Sequence, residues 1–192
     1  MKNSETDSGS RQRMLESTIV LMRQRGLSGA GINEIVRHSG APKGSVYHFF
    51  PDGKQQIVGE ALAVYAGRVA AFIEQALASE TRPPDKLRAL FAAFARRVEE
   101  GDFAASCAAG TVSLDLDNDL ENLRQVLAAT FADWRKLIAS QLTLADPAEA
   151  TSFAGLVLTA IEGAYIRCRA ERSSRPFSEA GEWLARFLEG ST

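Results

Sequence analysis

Apolar residues recur along this chain at helical spacing almost from end to end. Leu15, Ile19 and Met22 make one stripe, Ile32, Ile35 and Val36 a second, and Leu87, Leu90, Phe91, Phe94 and Val98 a third. Residues spaced i, i+3, i+4 share one face of an α-helix, so each stripe marks a face that needs a core. No segment alternates convincingly as a half-buried strand does, and no internal repeat is present. Breakers fall between the stripes: Ser39-Gly40, Pro51 to Gly53, Thr81 to Pro84, Gly101-Asp102, Asp115 to Asp119, Asp146-Pro147 and Ser173 to Pro176. The pattern predicts an all-α chain of about nine helices, over 11–25, 32–39, 42–49, 54–79, 85–99, 103–114, 120–142, 148–171 and 178–188.

Two short helices and a tight turn fit between Ile32 and Phe50, the spacing of a helix-turn-helix. Gly40 is the left-handed-tolerant stop of the first helix, and Pro42 suits the first position of the second, where its missing N–H costs nothing. On the second helix Lys43 and Tyr47, and likewise Gly44 and His48, lie one turn apart. A cation, aromatics and an absence of bulk on one face suit close approach to a DNA backbone. Lys43 would hold phosphate, Tyr47 and His48 phosphate or base edges, and Gly44 would give clearance.

Charge sharpens this reading. The net charge of −2 hides an asymmetry. Residues 1–60 carry eight Lys/Arg against six Asp/Glu, and the remainder fourteen against eighteen. Arg11, Arg13, Arg23, Arg25, Arg37, Lys43 and Lys54 are the cations available for phosphate. Arg23 and Arg25 are expected to be solvated, whereas Lys43 and Lys54 start helices, whose N-termini already attract phosphate.

The rest of the composition excludes other classes. At 192 residues, 45% hydrophobic and 24% charged, the chain can bury a substantial core. No apolar run approaches the ~20 residues that span a bilayer. The polar start, MKNSETDSGS, lacks the apolar segment of a secretion signal and is expected to be a disordered arm. A cytoplasmic protein without membrane contact is expected, with Cys107 and Cys168 as reduced core thiols. The two histidines, His38 and His48, both lie in the helix-turn-helix, which leaves no material for a Ser/His/Asp triad or a His-rich metal site. Asp115, Asp117 and Asp119 lack the glycine and terminal Glu of a calcium loop and are expected to be solvated. No phosphate-binding glycine loop is present, so neither enzyme activity, cofactor nor metal is expected.

From about Met14 to Leu62 the chain resembles the TetR family of bacterial transcriptional regulators. The features that carry the resemblance are the apolar first helix, Ile35-Val36, Ser39-Gly40-Ala41, the run Lys43-Gly44-Ser45-Val46-Tyr47-His48-Phe49-Phe50, and Lys54 at the next helix. Gly31 stands where a Ser or Thr cap is usual, and Pro42 where Ser is common. The loop Pro51-Asp52-Gly53-Lys54, the segment around Cys107 and the run from Ile161 to Phe177 are similar to the LmrA/YxaF-like branch.

The resemblance implies an organisation. A three-helix DNA-binding domain would occupy 11–53 after the arm at 1–10, joined by a long helix to a ligand-binding and dimerisation domain over 54–192. DNA would be held by Arg37, Pro42, Lys43, Gly44, Ser45, Tyr47, His48 and Lys54, with Arg11 and Arg13 on the backbone. A small, apolar or aromatic effector would bind among Phe72, Phe94, Phe103, Cys107, Phe131, Trp134, Glu162 and Tyr165, although solid core is the alternative for any one aromatic. Glu162 sits on an otherwise apolar face, where a carboxylate needs a partner, and an arginine pair or a cap is the structural alternative. The last two long helices offer Phe153, Val157, Ala160, Ala164, Trp183 and Phe187 to a homodimer interface, and a symmetric dimer implies a near-palindromic operator. Ligand would release DNA, so a repressor is expected.

Overall fold

The computed structural model describes residues 2–142, 144 and 146–190, with the side chains of residues 2–8 outside that description. Within these residues the chain is all-helical: α1 (Lys2–Gly29), α2 (Ile32–Ser39), α3 (Ser45–Phe49), α4 (Lys54–Ala78), α5 (Pro83–Glu100), α6 (Ala108–Ser113), α7 (Glu121–Gln141), α8 (Pro147–Glu171) and α9 (Arg175–Gly190). Nine helices in this order match the hydrophobic pattern, and the differences lie at their ends. The arm expected over 1–10 falls mostly on residues whose side chains are not described, but its last residue, Ser10, is already buried in α1. Pro83 and Pro84 do not merely stop α4; they open α5, in the first-turn positions that need no N–H. Likewise Pro176 starts α9 rather than ending a break.

The chain forms two compact units. One comprises Met1–Ala66 with Ala108–Ala128, the other Gly67–Cys107 with Ala129–Thr192. The boundary expected between residues 53 and 54 is therefore corrected: residues 54–66 and 108–128 belong with the helix-turn-helix. Ile57, Val58, Ala61 and Leu62 of α4 are buried, and the Thr111 hydroxyl on α6 donates to the Met22 carbonyl of α1 at 2.8 Å. By length and composition α4 is apolar enough to cross a membrane, contrary to the sequence reading. Its apolar side nevertheless turns inward at Ile57, Ala61, Tyr65, Val69, Ile73 and Leu77, as in the core helix of a globular protein.

The second unit is held by α5 on α9 and α9 on α8. Phe94 stacks on Phe177 with centroids 5.6 Å apart, and Tyr165 meets Phe177 edge-on at 5.1 Å. Arg88 of α5 joins Glu182 and Glu189 of α9, both at 2.9 Å, and the guanidinium holds the Glu182 carboxyl down at about 2. The close approach of α5 and α9 depends on Gly181: a Cβ there would lie 2.5 Å from the Phe91 Cβ, and both residues are buried. Gly181→Ala is therefore expected to cost about 1–3 kcal/mol through overpacking, measured by urea unfolding.

Residues 101–107, expected to begin a helix at Phe103, are irregular, and α6 starts only at Ala108. Asp102 (φ 48°) and Phe103 (φ 58°) are left-handed, a backbone state that L-residues adopt at a cost. Arg172, also left-handed at the end of α8, donates to Asp102 at 2.7 Å and lies over the Phe103 ring.

Candidate nucleic-acid interface

The helix-turn-helix is built around a few inward residues. Ile35 of α2, Val46 of α3 and Phe50 are fully buried, which fixes the opposite face of α3 outward. Gly40 ends α2 in the left-handed conformation (φ 64°, ψ 15°), as its position in the pattern requires. The second helix is shorter than expected. Pro42 does not sit at its first position but opens a tight turn, with Ser45 N–H donating to the Pro42 carbonyl at 3.0 Å, and α3 proper begins at Ser45.

The outward face carries the expected side chains. Pro42, Lys43, Gly44, Tyr47 and His48 are exposed, Ser45 is half-buried, and Tyr47 shows 62% of its surface. Lys43 makes no ion pair with a described residue. A Cβ at Gly44 would meet nothing within 4 Å, and its backbone is right-handed helical. Nothing inside the protein asks for glycine there, so the absence of a side chain matters only to something that approaches from outside.

Lys54 begins α4 behind a turn in which Gly53 is left-handed (φ 65°). Gln56 caps that turn by accepting from the Asp52 amide at 3.1 Å and donates to Glu60 at 2.9 Å. Glu60 pairs with Arg11, whose guanidinium lies 5.2 Å from the Phe50 ring centroid. Arg11 is thus a clamp between α1 and α4 rather than an unengaged backbone contact. Arg37 is exposed but engaged with Glu34 at 2.6 Å, and this partner holds the Glu34 carboxyl below the usual range. A phosphate would have to compete with Glu34 for it. Arg25 also lies within 3.8 Å of Glu34, and Arg23 stacks over Tyr65.

Asp115 corrects another expectation. Although exposed, it is no mere solvated turn residue: its carboxylate accepts from the Ser28 amide at 2.9 Å, across 87 residues of sequence.

In the second unit the eight effector candidates fall into groups. Phe72, Phe94 and Tyr165 share one aromatic cluster, with Phe72 edge-on to Phe94 at 4.9 Å. Phe177 joins the cluster, although it was not a candidate; its place just past a breaker concealed it. Phe131 and Trp134 meet edge-on at 5.7 Å, and Phe103 lies under Arg172. Glu162 faces Cys107 and has no arginine partner among the described residues, which overturns the arginine-pair alternative. Burial pushes its carboxyl up to about 7, while the hydrogen bond with Cys107 pulls the other way.

A consequence for stability follows from the sign of that shift. The folded state binds a proton at Glu162 that the unfolded state has lost between pH 4.5 and about 7, so this group's contribution falls with rising pH across that window. Glu162→Gln is expected to stabilise the protein by up to about 3 kcal/mol at pH 8 and to change little at pH 4, in paired urea titrations.

The expected dimer residues divide as well. Phe153, Val157 and Ala164 are buried within one protomer, so their inclusion is corrected; Ala160 is half-buried, and Trp183 (69%) and Phe187 (62%) are exposed. The exposed apolar positions of α8 are instead Leu156 (52%) and Ile166 (62%). The Phe153 ring stacks beneath Phe187 at 5.7 Å.

An all-helical chain that presents a helix-turn-helix with a basic, aromatic outer face defines the class of DNA-binding transcriptional regulators. Residues 14–61 match the model of bacterial regulatory proteins of the tetR family, and residues 83–183 match the LmrA/YxaF-like transcriptional regulator C-terminal domain. The chain belongs to the TetR family of transcriptional regulators, in its LmrA/YxaF-like branch. An HTH-type transcriptional regulator of Mycobacterium tuberculosis is 34% identical over 188 residues, covering 94% of each chain. The crystal structure of a regulatory protein TetR from Rhodobacter sphaeroides superposes with a TM-score of 0.82 at 21% identity, over 92% of this chain and 97% of that one. The regulator CifR, solved as a cysteine mutant with 26-bp double-strand operator DNA, gives a TM-score of 0.80 at 18% identity over 91% and 94%. The family and its relatives are regulators of transcription, not enzymes.

Proposed function

We propose that this protein is an effector-responsive repressor that binds a near-palindromic operator as a homodimer in the cytoplasm. The observation that carries the DNA reading is the outer face of α3: exposed Lys43, Tyr47 and His48 beside a glycine for which the protein's own packing has no use. Lys43 and Lys54 hold phosphates on either side of the recognition helix, while Ser45, Tyr47 and His48 reach phosphate or base edges. Arg37 joins them by exchanging Glu34 for phosphate, and Pro42 shapes the turn that delivers α3. CifR, similar in fold, is a TetR-family regulator with operator DNA, which supports the same use of this fold here.

Dimerisation uses the exposed stripe of Leu156, Thr159, Gly163 and Ile166 on α8 with Trp183 and Phe187 on α9. These two helices from each protomer make a four-helix contact with two-fold symmetry. The effector binds in the second unit among the aromatic candidates, Cys107 and Glu162. Helix α4 passes unbroken from one unit into the other at Ala66 and Gly67, so a shift of its second half moves the reading head. The size of the switch equals the effector's differential affinity for the two states, about 1.4 kcal/mol for each tenfold loss of operator affinity.

The test is a fluorescence-anisotropy titration of the protein onto duplexes from its gene's upstream region, beside a scrambled duplex, near physiological salt. Saturable binding that prefers one duplex supports a sequence-specific regulator. Equal, weak binding to every duplex points to a helical adaptor instead.

A further inference from the structure

The break in α1 just ahead of the helix-turn-helix is fixed by a group from far along the chain. Gly26 is buried and holds φ 69°, ψ −165°, a conformation open to glycine alone. A Cβ there would lie 2.5 Å from Asp115 Oδ2 and 3.4 Å from the Thr111 carbonyl oxygen. The same Asp115 oxygen accepts from the Ser28 amide at 2.9 Å, so a carboxylate from the segment between α6 and α7 caps the single turn Leu27–Gly29 that follows the break. One helical turn earlier, Thr111 of α6 donates to the Met22 carbonyl. Only Ala30 and Gly31 separate the capped turn from α2, and Ile35 N–H donates to the Gly31 carbonyl at 2.9 Å. Asp115 therefore joins the direct packing of α2 on α1, and the 2.9 Å contact of His38 Nδ1 with the Ser17 hydroxyl, in fixing the direction in which α2 leaves α1.

We propose that Asp115 is a positioning residue for operator recognition: by capping the turn after Gly26 it aims α2, and with it α3, and it makes operator affinity depend on α6. This rests on the DNA-binding reading above and adds a route to it. Helix α6 begins at Ala108, the residue after Cys107, where the chain leaves the second unit. Six residues of helix thus connect that crossing to the Thr111 and Asp115 contacts on α1. The bland alternative is that Asp115 only stabilises the fold, as any capping carboxylate does. The two differ in what they move: stability alone changes the folded fraction, whereas aim changes specific binding relative to non-specific binding, which needs only phosphate contacts.

The experiment compares wild type, Asp115→Ala, Asp115→Asn and Gly26→Ala by anisotropy on the preferred upstream duplex and on a scrambled duplex, with thermal unfolding of each. Asp115→Ala is expected to bind the preferred duplex roughly fivefold to tenfold more weakly, the scale of losing one capping acceptor, with the scrambled-duplex affinity unchanged. Asp115→Asn, whose amide oxygen still accepts from Ser28, should stay close to wild type. Gly26→Ala, which leaves Asp115 in place but displaces its carboxylate, should repeat the specific loss and serves if the first variant is too unstable to titrate. Unchanged specific affinity in Asp115→Ala, or equal losses on both duplexes that track the melting temperature, would overturn the positioning role. A wild type that prefers no duplex would instead remove the DNA-binding reading, and the positioning role with it.

Discussion

Tyr47→Ala is expected to lower affinity for the operator by about 1–3 kcal/mol, roughly fivefold to 150-fold, while the melting temperature stays that of the wild type. The separation of the two effects comes from burial. Tyr47 exposes 62% of its surface, whereas its neighbours Val46 and Phe50 expose none, so the ring contributes to an external contact and almost nothing to the core. Lys43→Ala makes a useful companion. Its loss should weaken binding to every duplex about equally and reduce the slope of log affinity against log salt by about 1, the signature of one phosphate contact. Anisotropy titrations at three salt concentrations separate the two side chains. If Tyr47→Ala instead leaves operator binding intact, α3 is not the reading element.

Trp183→Glu is expected to dissociate the proposed dimer and to remove tight operator binding together with it. Trp183 and Phe187 on α9 and Leu156 and Ile166 on α8 each expose more than half of their surface, an apolar patch on a chain with no other described use for it. Aromatic residues at the centre of such a patch typically contribute 2 kcal/mol or more, and a carboxylate placed there would be buried without a partner. Two linked reading heads bind two half-sites as one event, so separation of the protomers is expected to cost about 10²–10⁴ in operator affinity even with each head intact. Sedimentation at micromolar concentration checks the first part and anisotropy the second. A variant that sediments as wild type does would move the interface off this face.

Most of the helices and the outline of the helix-turn-helix, though not the start of its second helix, could be read from spacing, because both depend on local rules. A 3.6-residue stripe, a glycine at a left-handed stop and a proline that lacks an N–H constrain the chain within a few residues. The start of α6 escaped this reading. Phe103 to Cys107 have helical composition, yet Asp102 and Phe103 turn left-handed where Arg172 and the end of α8 meet them, a constraint supplied from 70 residues away. The outward stripe of α8 was missed by one register. Helix α8 is apolar on several sides, and only packing against α9 selects Phe153, Val157 and Ala164 for the interior and leaves Leu156 and Ile166 outside. Glu162 was identified as a carboxylate in need of a partner, but the partner could not be named, since Cys107 lies 55 positions away and its thiol bears no charge to suggest the pairing.

Local chemistry alone specified the class of this protein: helices by period, a DNA-reading pair by the length of its turn, and an outward basic and aromatic face by the alternation of Val46 and Phe50 with Lys43, Tyr47 and His48. Tertiary structure decided which groups act together. Arg11 with Glu60, Asp115 with Ser28, Cys107 with Glu162 and Phe177 with Phe94 are each separated by tens of residues. Their meeting follows from how the helices pack, a property of the whole chain that no local window of sequence contains.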